Sequence, residues 1–326
     1  MPPSPFRSFR AEVVRVEDLG PTFRRFTFSG TGMARFGIPG HPLDMRIKLI
    51  IPPPDGPEFD LGTFLDEQYA AGTPWYQAWR QLDEGVRGSM RTYTVREWRD
   101  AERELIVDMV LHFDEDGRGG PASSWAREAT VGDSLQVLGR DRDAEPGGGG
   151  IEFSPGTADN LLLVADETAV PAVASILDHL TGQDVRGRAL LEVPSADDAQ
   201  DLRAPEGIEI TWLPREGRPV GSLLGPAVRD AVPVGSDATT PNPAAGELED
   251  VDIDSEILWE TPQRLGEAAT GSGSDVAPDA RPFYAWVAGE AAVVKDLRRY
   301  LVREVGVDRR QIAFMGYWRM GRAEAS

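Results

Sequence analysis

The hydrophobic pattern of this chain changes period part-way along, and that change constrains the fold more than any other feature. In Glu104–Phe113, residues Leu105, Val107, Met109, Leu111 and Phe113 alternate with Ile106, Asp108, Val110 and His112. Such a two-residue period describes a strand with unlike faces. In Asn160–Ala165 the apolar run is unbroken, and Thr168–Leu180 follows as a predicted helix with Pro171 in its first turn, a pattern of buried strands joined by helices. Thr22–Ser29, Leu43–Ile51 and Leu135–Leu138 read as strands of the first kind, an antiparallel barrel or sandwich. Gly187–Val193, Ile208–Leu213, Phe283–Val287 and Gln311–Met315 are strands of the second kind, with a further helix over Glu290–Glu304, which predicts a parallel α/β sheet.

The change falls in Asp141–Thr157, where Gly147–Gly150 and Pro155 mark a linker. The expected organisation is a β domain over 1–142, a Gly-rich linker over 143–158 and an α/β domain over 159–326. Two interruptions stand out. Gly62–Leu82, with Trp75, Tyr76 and Trp79, reads as an irregular insertion. The stretch of about 233–280, rich in acidic and small residues, reads as a flexible acidic insertion in which Ile257–Trp259 forms a short docked element.

Chemistry is narrowed by what is missing. The chain has no Cys and only His41, His112 and His179. Disulfides, thiolate catalysis and Cys-held clusters are therefore excluded, and the histidines lack metal-ligand spacing. Any redox reaction must be carried by an organic cofactor. A formal charge of −20 argues against nucleic acid and anionic membranes as partners. No stretch is long and apolar enough to span a bilayer, and Met1–Pro5 does not open a secretory signal. A cytoplasmic monomer is expected.

Two segments suit an anionic aromatic cofactor. In Met90–Arg96, Arg91 and Tyr93 share one face of a strand, while Thr94 and Arg96 share the other. The Arg can reach a phosphate while the Tyr covers a ring. Gly119–Ala126 reads Gly-Gly-Pro-Ala-Ser-Ser-Trp-Ala, a close-approach loop opening a helix whose amides can seat a pyrophosphate. Either segment alone also reads as an ordinary charged edge strand or a Ser-capped junction.

With these two elements ahead of an α/β domain, the chain resembles the ferredoxin–NADP reductase-like flavoproteins. More narrowly it is similar to the siderophore-interacting proteins, FAD-dependent ferric-siderophore reductases. Val164–Ala172, Ala288-Gly289-Glu290 and the terminal Gly316-Tyr317-Trp318-Arg319-x-Gly321 carry the narrower match. The resemblance implies an antiparallel FAD-binding β-barrel followed by a parallel-sheet NAD(P)H-binding-like domain. It implies that Arg91, Tyr93, Thr94, Val95 and Arg96 hold the FAD, with His112 touching it and Gly120, Pro121, Ala122 and Ser123 around its pyrophosphate. Asp166, Thr168, Ala169 and Trp318 would lie near the flavin, and Glu290 on the nicotinamide side. Each has a plainer role available: helix caps for Asp166 and Glu290, packing for Trp318, a structural histidine for His112.

The implied reaction passes electrons from NADH, NADPH or a ferredoxin-like protein to a ferric siderophore, releasing iron as Fe(II). Lys48, Arg140, Arg142 and Arg319 are the candidate cations for an anionic chelate, although Gly139–Arg142 departs from the Gly-Pro-x-Arg that the family leads one to expect. Asp197 and Asp198 disfavour a coenzyme 2′-phosphate and Arg215 favours one. The alternatives are a general NAD(P)H–flavin oxidoreductase with another acceptor, and a flavin- or siderophore-binding protein without turnover.

Overall fold

A computed structural model describes residues 6–54, 56, 59–114, 116–144, 150–234, 258–262 and 283–321. It divides into two compact units, the first ending at Ile151 and the second beginning at Glu152.

In the first unit, seven antiparallel strands form one sheet: β1 (Phe6–Asp18), β2 (Phe23–Ser29), β3 (Arg46–Ile51), β4 (Ser89–Thr94), β5 (Glu97–Arg99), β6 (Glu104–Val110) and β7 (Ser134–Arg140). Their order is β4-β3-β7-β1-β2-β6-β5. The two edge strands, β4 and β5, are joined by only Val95 and Arg96. Two linking residues span no more than about 11 Å between Cα atoms, so the sheet must curl until its edges meet. Val95 N donates to the Met45 carbonyl (2.9 Å) and Arg96 N to the Ile106 carbonyl (3.0 Å), pinning that corner to both sides. The enclosed core is the alternating set seen in the sequence: Phe26, Phe28, Ile47, Leu49, Leu105, Val107, Met109 and Val137.

Some expectations are corrected. The strand over Glu104–Phe113 ends at Val110, because Leu111–Phe113 turn into a loop where Phe113 bridges Gly119. Leu43 has φ 53°, and β3 begins only at Arg46. Gly62–Leu82 is not irregular. Asp60 accepts from Thr63 N (3.1 Å) and starts α1 (Leu61–Ala71), which Gly72 ends in the left-handed conformation at φ 67°, a cap that glycine adopts without strain. α2 (Trp75–Arg80) and the single-turn α3 (Glu84–Arg87) follow. Leu61, Leu65 and Trp79 cover Ile50, Met90 and Leu138 on the outer face of the sheet. That second small core is why an otherwise exposed barrel wall is apolar. Helix α4 (Pro121–Glu128) lies against β3, β4 and β6, with Trp125 stacked near Phe26 and Phe28.

In the second unit, β8 (Asn160–Ala165), β9 (Arg186–Val193), β10 (Ile208–Pro214), β12 (Phe283–Glu290) and β13 (Ile312–Trp318) pair in parallel. The order is β10-β9-β8-β12-β13-β11, and β11 (Trp259–Glu260) closes the edge antiparallel to β13. The sheet is therefore mixed rather than wholly parallel. Helices α5 (Val170–Leu180), α6 (Leu224–Ala231) and α7 (Ala291–Arg299) connect the strands. The predicted helix to Glu304 changes to a wider π turn over Tyr300–Val305, closed by Gly306 at φ 88°. Of the acidic insertion, residues 235–257 and 263–282 lie outside the described residues, as do 145–149 of the linker. Leu258 is buried beside β11.

Candidate functional site

In the first unit, β4 and α4 pack against one another. Cross-strand pairing sets Arg91 opposite Leu49 and Tyr93 opposite Ile47, whose side chains enter the core. Arg91 and Tyr93 therefore lie on the inner side of the sheet, both half-buried, and Tyr93 rests on the core cluster. The Arg91 guanidinium donates to the Met90 carbonyl (2.8 Å), and among the described residues no carboxylate pairs with it. A cation held on its own strand without an acid beside it retains its full attraction for an incoming anion.

The start of α4 is similarly uncommitted. Gly120 is its N-cap and supplies no side chain, and Pro121 has no N–H to satisfy. Among the described residues, the Ala122 and Ser123 amides meet no acceptor, so two of the helix's orphan donors stand open. A Cβ on Gly120 would meet nothing within 4 Å, whereas one on Gly119 would strike the Phe113 ring at 2.5 Å. The loop is thus fixed at one glycine and roomy at the next. The Ser123 hydroxyl is used internally: it accepts from His112 N (3.0 Å) and donates to the Val110 carbonyl (3.4 Å), fastening the helix to the end of β6. His112 itself is exposed. Thr94 is buried, and Val95 and Arg96 form the closing corner.

Lys48 faces the opposite side from Arg91. It pairs with Thr92 across the strand, and its ammonium donates to the Thr92 hydroxyl. Its partner on β7 is Leu138, which puts Arg140, two residues on, and Arg46, two residues back along β3, on that same outer face. Arg46 was missed in the sequence, although the alternation Arg46-x-Lys48 on a strand was there to find it. Arg140 is buried and donates to the Ala144 carbonyl (3.1 Å), while Arg142 reaches Asp100 (3.4 Å). Arg319 lies in the second unit, just past β13.

In the second unit, Asp166 ties three strand ends together. One oxygen accepts from Thr168 N (2.9 Å) and the Thr168 hydroxyl (2.6 Å); the other accepts from Glu290 N (2.7 Å) and the Trp318 indole (2.7 Å). Burial first, and the neighbouring Glu167 charge second, push its carboxyl up to about 6 despite these donors. Between about 4 and that value the folded protein keeps a proton that the unfolded chain has released. Its contribution to stability therefore declines as pH rises from about 4 to about 6. A carboxyl-carbon NMR titration should find Asp166 titrating near 6; titration near 4 would contradict the burial argument.

Gly289 sits at φ 151°, and a Cβ there would lie 2.6 Å from an Asp166 oxygen. Gly289→Ala should cost about 2–3 kcal/mol in denaturant unfolding. Ala169 is buried at the head of α5. Glu290 accepts from Ala292 N (2.7 Å), Val293 N (3.0 Å) and Met320 N (3.2 Å), so its carboxylate is spent on capping α7. Arg215 is buried in a two-bond pair with Glu167 (2.6 and 2.8 Å), with Glu192 at 3.5 Å. Asp198 caps its own turn through Ser195.

Residues 12–143 match the siderophore-interacting FAD-binding domain, and residues 158–321 match the model named siderophore-interacting protein. The chain belongs to the siderophore-interacting protein family. Family relatives carry informative names. Ferric vibriobactin reductase ViuB of Vibrio cholerae is 35% identical over 162 residues, 49% of this chain and 55% of that one. The NADPH-dependent ferric-chelate reductase of Escherichia coli is 31% identical over 214 residues, 65% of this chain and 73% of that one. Among solved structures, a siderophore utilization protein from T. fusca superposes with a TM-score of 0.61 at 28% identity, covering 98% of this chain and 95% of that one. Among the described residues of this chain, no helix is long and apolar enough to cross a membrane, and no group of His, Cys, Asp and Glu is suited to a metal.

Proposed function

We propose that this siderophore-interacting protein is a flavin-dependent ferric-siderophore reductase that releases iron by reducing chelated Fe(III) to Fe(II). The observation that carries the reading is the open start of α4, a helix packed against β4, on which Arg91 has no acid partner among the described residues. The donor set fits FAD. Two free amides at a helix N-terminus and a guanidinium suit a pyrophosphate, and Tyr93 offers an aromatic face at the mouth of the core. When bound, FAD would supply the redox chemistry, accepting an electron pair and giving it up singly.

The chain's own residues do the rest. Arg91 and the Ala122 and Ser123 amides bind and orient. Ser123 and Val95 hold the two binding elements to the barrel through β6 and the closing corner. Arg46 and Lys48, half-buried on the same face of β3, are the candidate cations for an anionic chelate. Siderophores hold Fe(III) through hard oxygen ligands that bind Fe(II) far more weakly, so reduction alone loosens the metal and the protein need not ligate it. NADH, NADPH and a ferredoxin-like carrier are the candidate donors; the Escherichia coli relative's name gives NADPH.

The test is made under anaerobic conditions with the yellow holoprotein reduced by dithionite. Mixing with a ferric siderophore should restore the oxidised flavin spectrum while a ferrous chelator traps Fe(II). Failure to reoxidise with any ferric siderophore, in a protein that holds FAD, would refute the reductase reading and leave a binding protein or a flavoprotein with another acceptor. Lys48→Ala should slow reoxidation by anionic chelates several-fold and spare neutral ones. Equal loss with both would assign Lys48 to structure alone.

A further inference from the structure

The second unit belongs to a class of α/β sheet in which nucleotides are held at the C-terminal edge, with phosphates on helix N-termini. In this protein those N-termini are already taken. At α5, the Thr168 amide binds the Asp166 carboxylate, and the Ala169 and Val170 amides bind its carbonyl (3.0 and 3.1 Å). At α6, Glu192 accepts from Gly221 N (2.7 Å), Leu223 N (2.9 Å) and Leu224 N (3.4 Å). At α7, Glu290 accepts from Ala292 N and Val293 N. At the short turn after β9, the Ser195 hydroxyl, Asp198 and Glu216 take the Asp197, Ser195 and Ala196 amides.

The charge points the same way. Asp166, Glu167, Glu192 and Glu290 are each no more than 5% exposed, and Arg215, buried with them, is bound by Glu167 and Glu192. A dinucleotide phosphate arriving there would meet carboxylates instead of free amides. Displacing any of them would strand buried donors. The contrast with α4, whose amides are open, lies within one chain.

We propose that the α/β unit is closed to dinucleotide phosphates by its own carboxylates, with Asp166, Glu192 and Glu290 as the excluding residues. The reductant, on the reading of this protein as a flavin reductase, is then one recognised without its pyrophosphate. A nicotinamide nucleotide reacts only through its ring, and NADH is not distinguished from NADPH.

Two measurements decide this, and the first needs no flavin chemistry. In an amide NMR titration of the full chain with ADP, the signals of Thr168, Leu223, Leu224, Ala292 and Val293 should not shift to about 10 mM, beyond the range in which even a millimolar seat saturates. Saturable shifts at those amides would overturn the proposal. In anaerobic stopped-flow of the holoprotein, flavin bleaching by NADH, NADPH and reduced nicotinamide mononucleotide should rise linearly with concentration. The three rates should agree within about threefold, less than 1 kcal/mol of discrimination. Saturation below millimolar concentration, or a tenfold advantage of either dinucleotide over the mononucleotide, would overturn it. Absence of bleaching by all three supports the closure. A protein that bound no FAD would fail the reductase reading while leaving the amide titration to judge this one.

Discussion

Arg91→Ala is expected to weaken FAD binding roughly 30- to 150-fold, from the loss of about 2–3 kcal/mol carried by a charge-assisted bond to phosphate. The fold should survive. Among the described residues the Arg91 side chain makes a single hydrogen bond, to the carbonyl of its own neighbour Met90, and no ion pair. Its partner across the strand, Leu49, belongs to a core that does not depend on the guanidinium. Flavin fluorescence on titrating apoprotein gives the affinity, and thermal unfolding of the apoprotein gives the control. An unchanged affinity would remove the phosphate role from β4 and leave the α4 amides to explain binding alone. Arg91→Lys tests geometry as well as charge, since an ammonium cannot make the two parallel bonds of a guanidinium.

Asp166→Ala should cost the second unit about 3–4 kcal/mol of stability. Four donors lose their acceptor at once: the Thr168 amide and hydroxyl, the Glu290 amide and the Trp318 indole. Relief of repulsion with Glu167 offsets part of the cost, which is why the figure is below four full penalties. At this domain size the loss corresponds to a fall of roughly 6–16 °C in melting temperature. Tryptophan emission should also change as the indole N–H is released. Thr168→Val is the milder comparison, about 1 kcal/mol, because one side-chain donor goes and the backbone bond stays. If Asp166→Ala melted within a degree of the parent, Asp166 could not be the tie between these strand ends.

Much of the architecture could be read from periodicity because burial is what periodicity records. Asn160–Ala165 is apolar throughout and is β8 to the residue, since both faces of a central strand are covered. The helices at 61–80 were overlooked despite legible signals, Asp60 as a cap and Gly72 as a stop, because their aromatic residues cover a satellite core rather than the main one. Site residues divide by range. Arg91-x-Tyr93 could be placed on one face from alternation alone. The fate of Arg215 could not, because its partner Glu167 is 48 residues away and pairing at that distance leaves no local trace. Glu290 shows the same limit from the other side: one acid before a helix looks identical whether it faces a ligand or its own amides, and here it faces its amides.

The closing corner at Val95–Arg96 has a consequence for how the barrel is made. The strand that separates β1 from β3 in the sheet is β7, which ends at Arg140. During synthesis, the first three strands to emerge therefore cannot assemble in native order, and the gap between them waits for a segment some ninety residues later. Contacts of such long range make for slow folding. A ribosome stalled before residue 134 would display strands with no completed wall, whereas a circular permutant opened between Val95 and Arg96 would turn the two sheet edges into chain ends and leave every strand pairing in place.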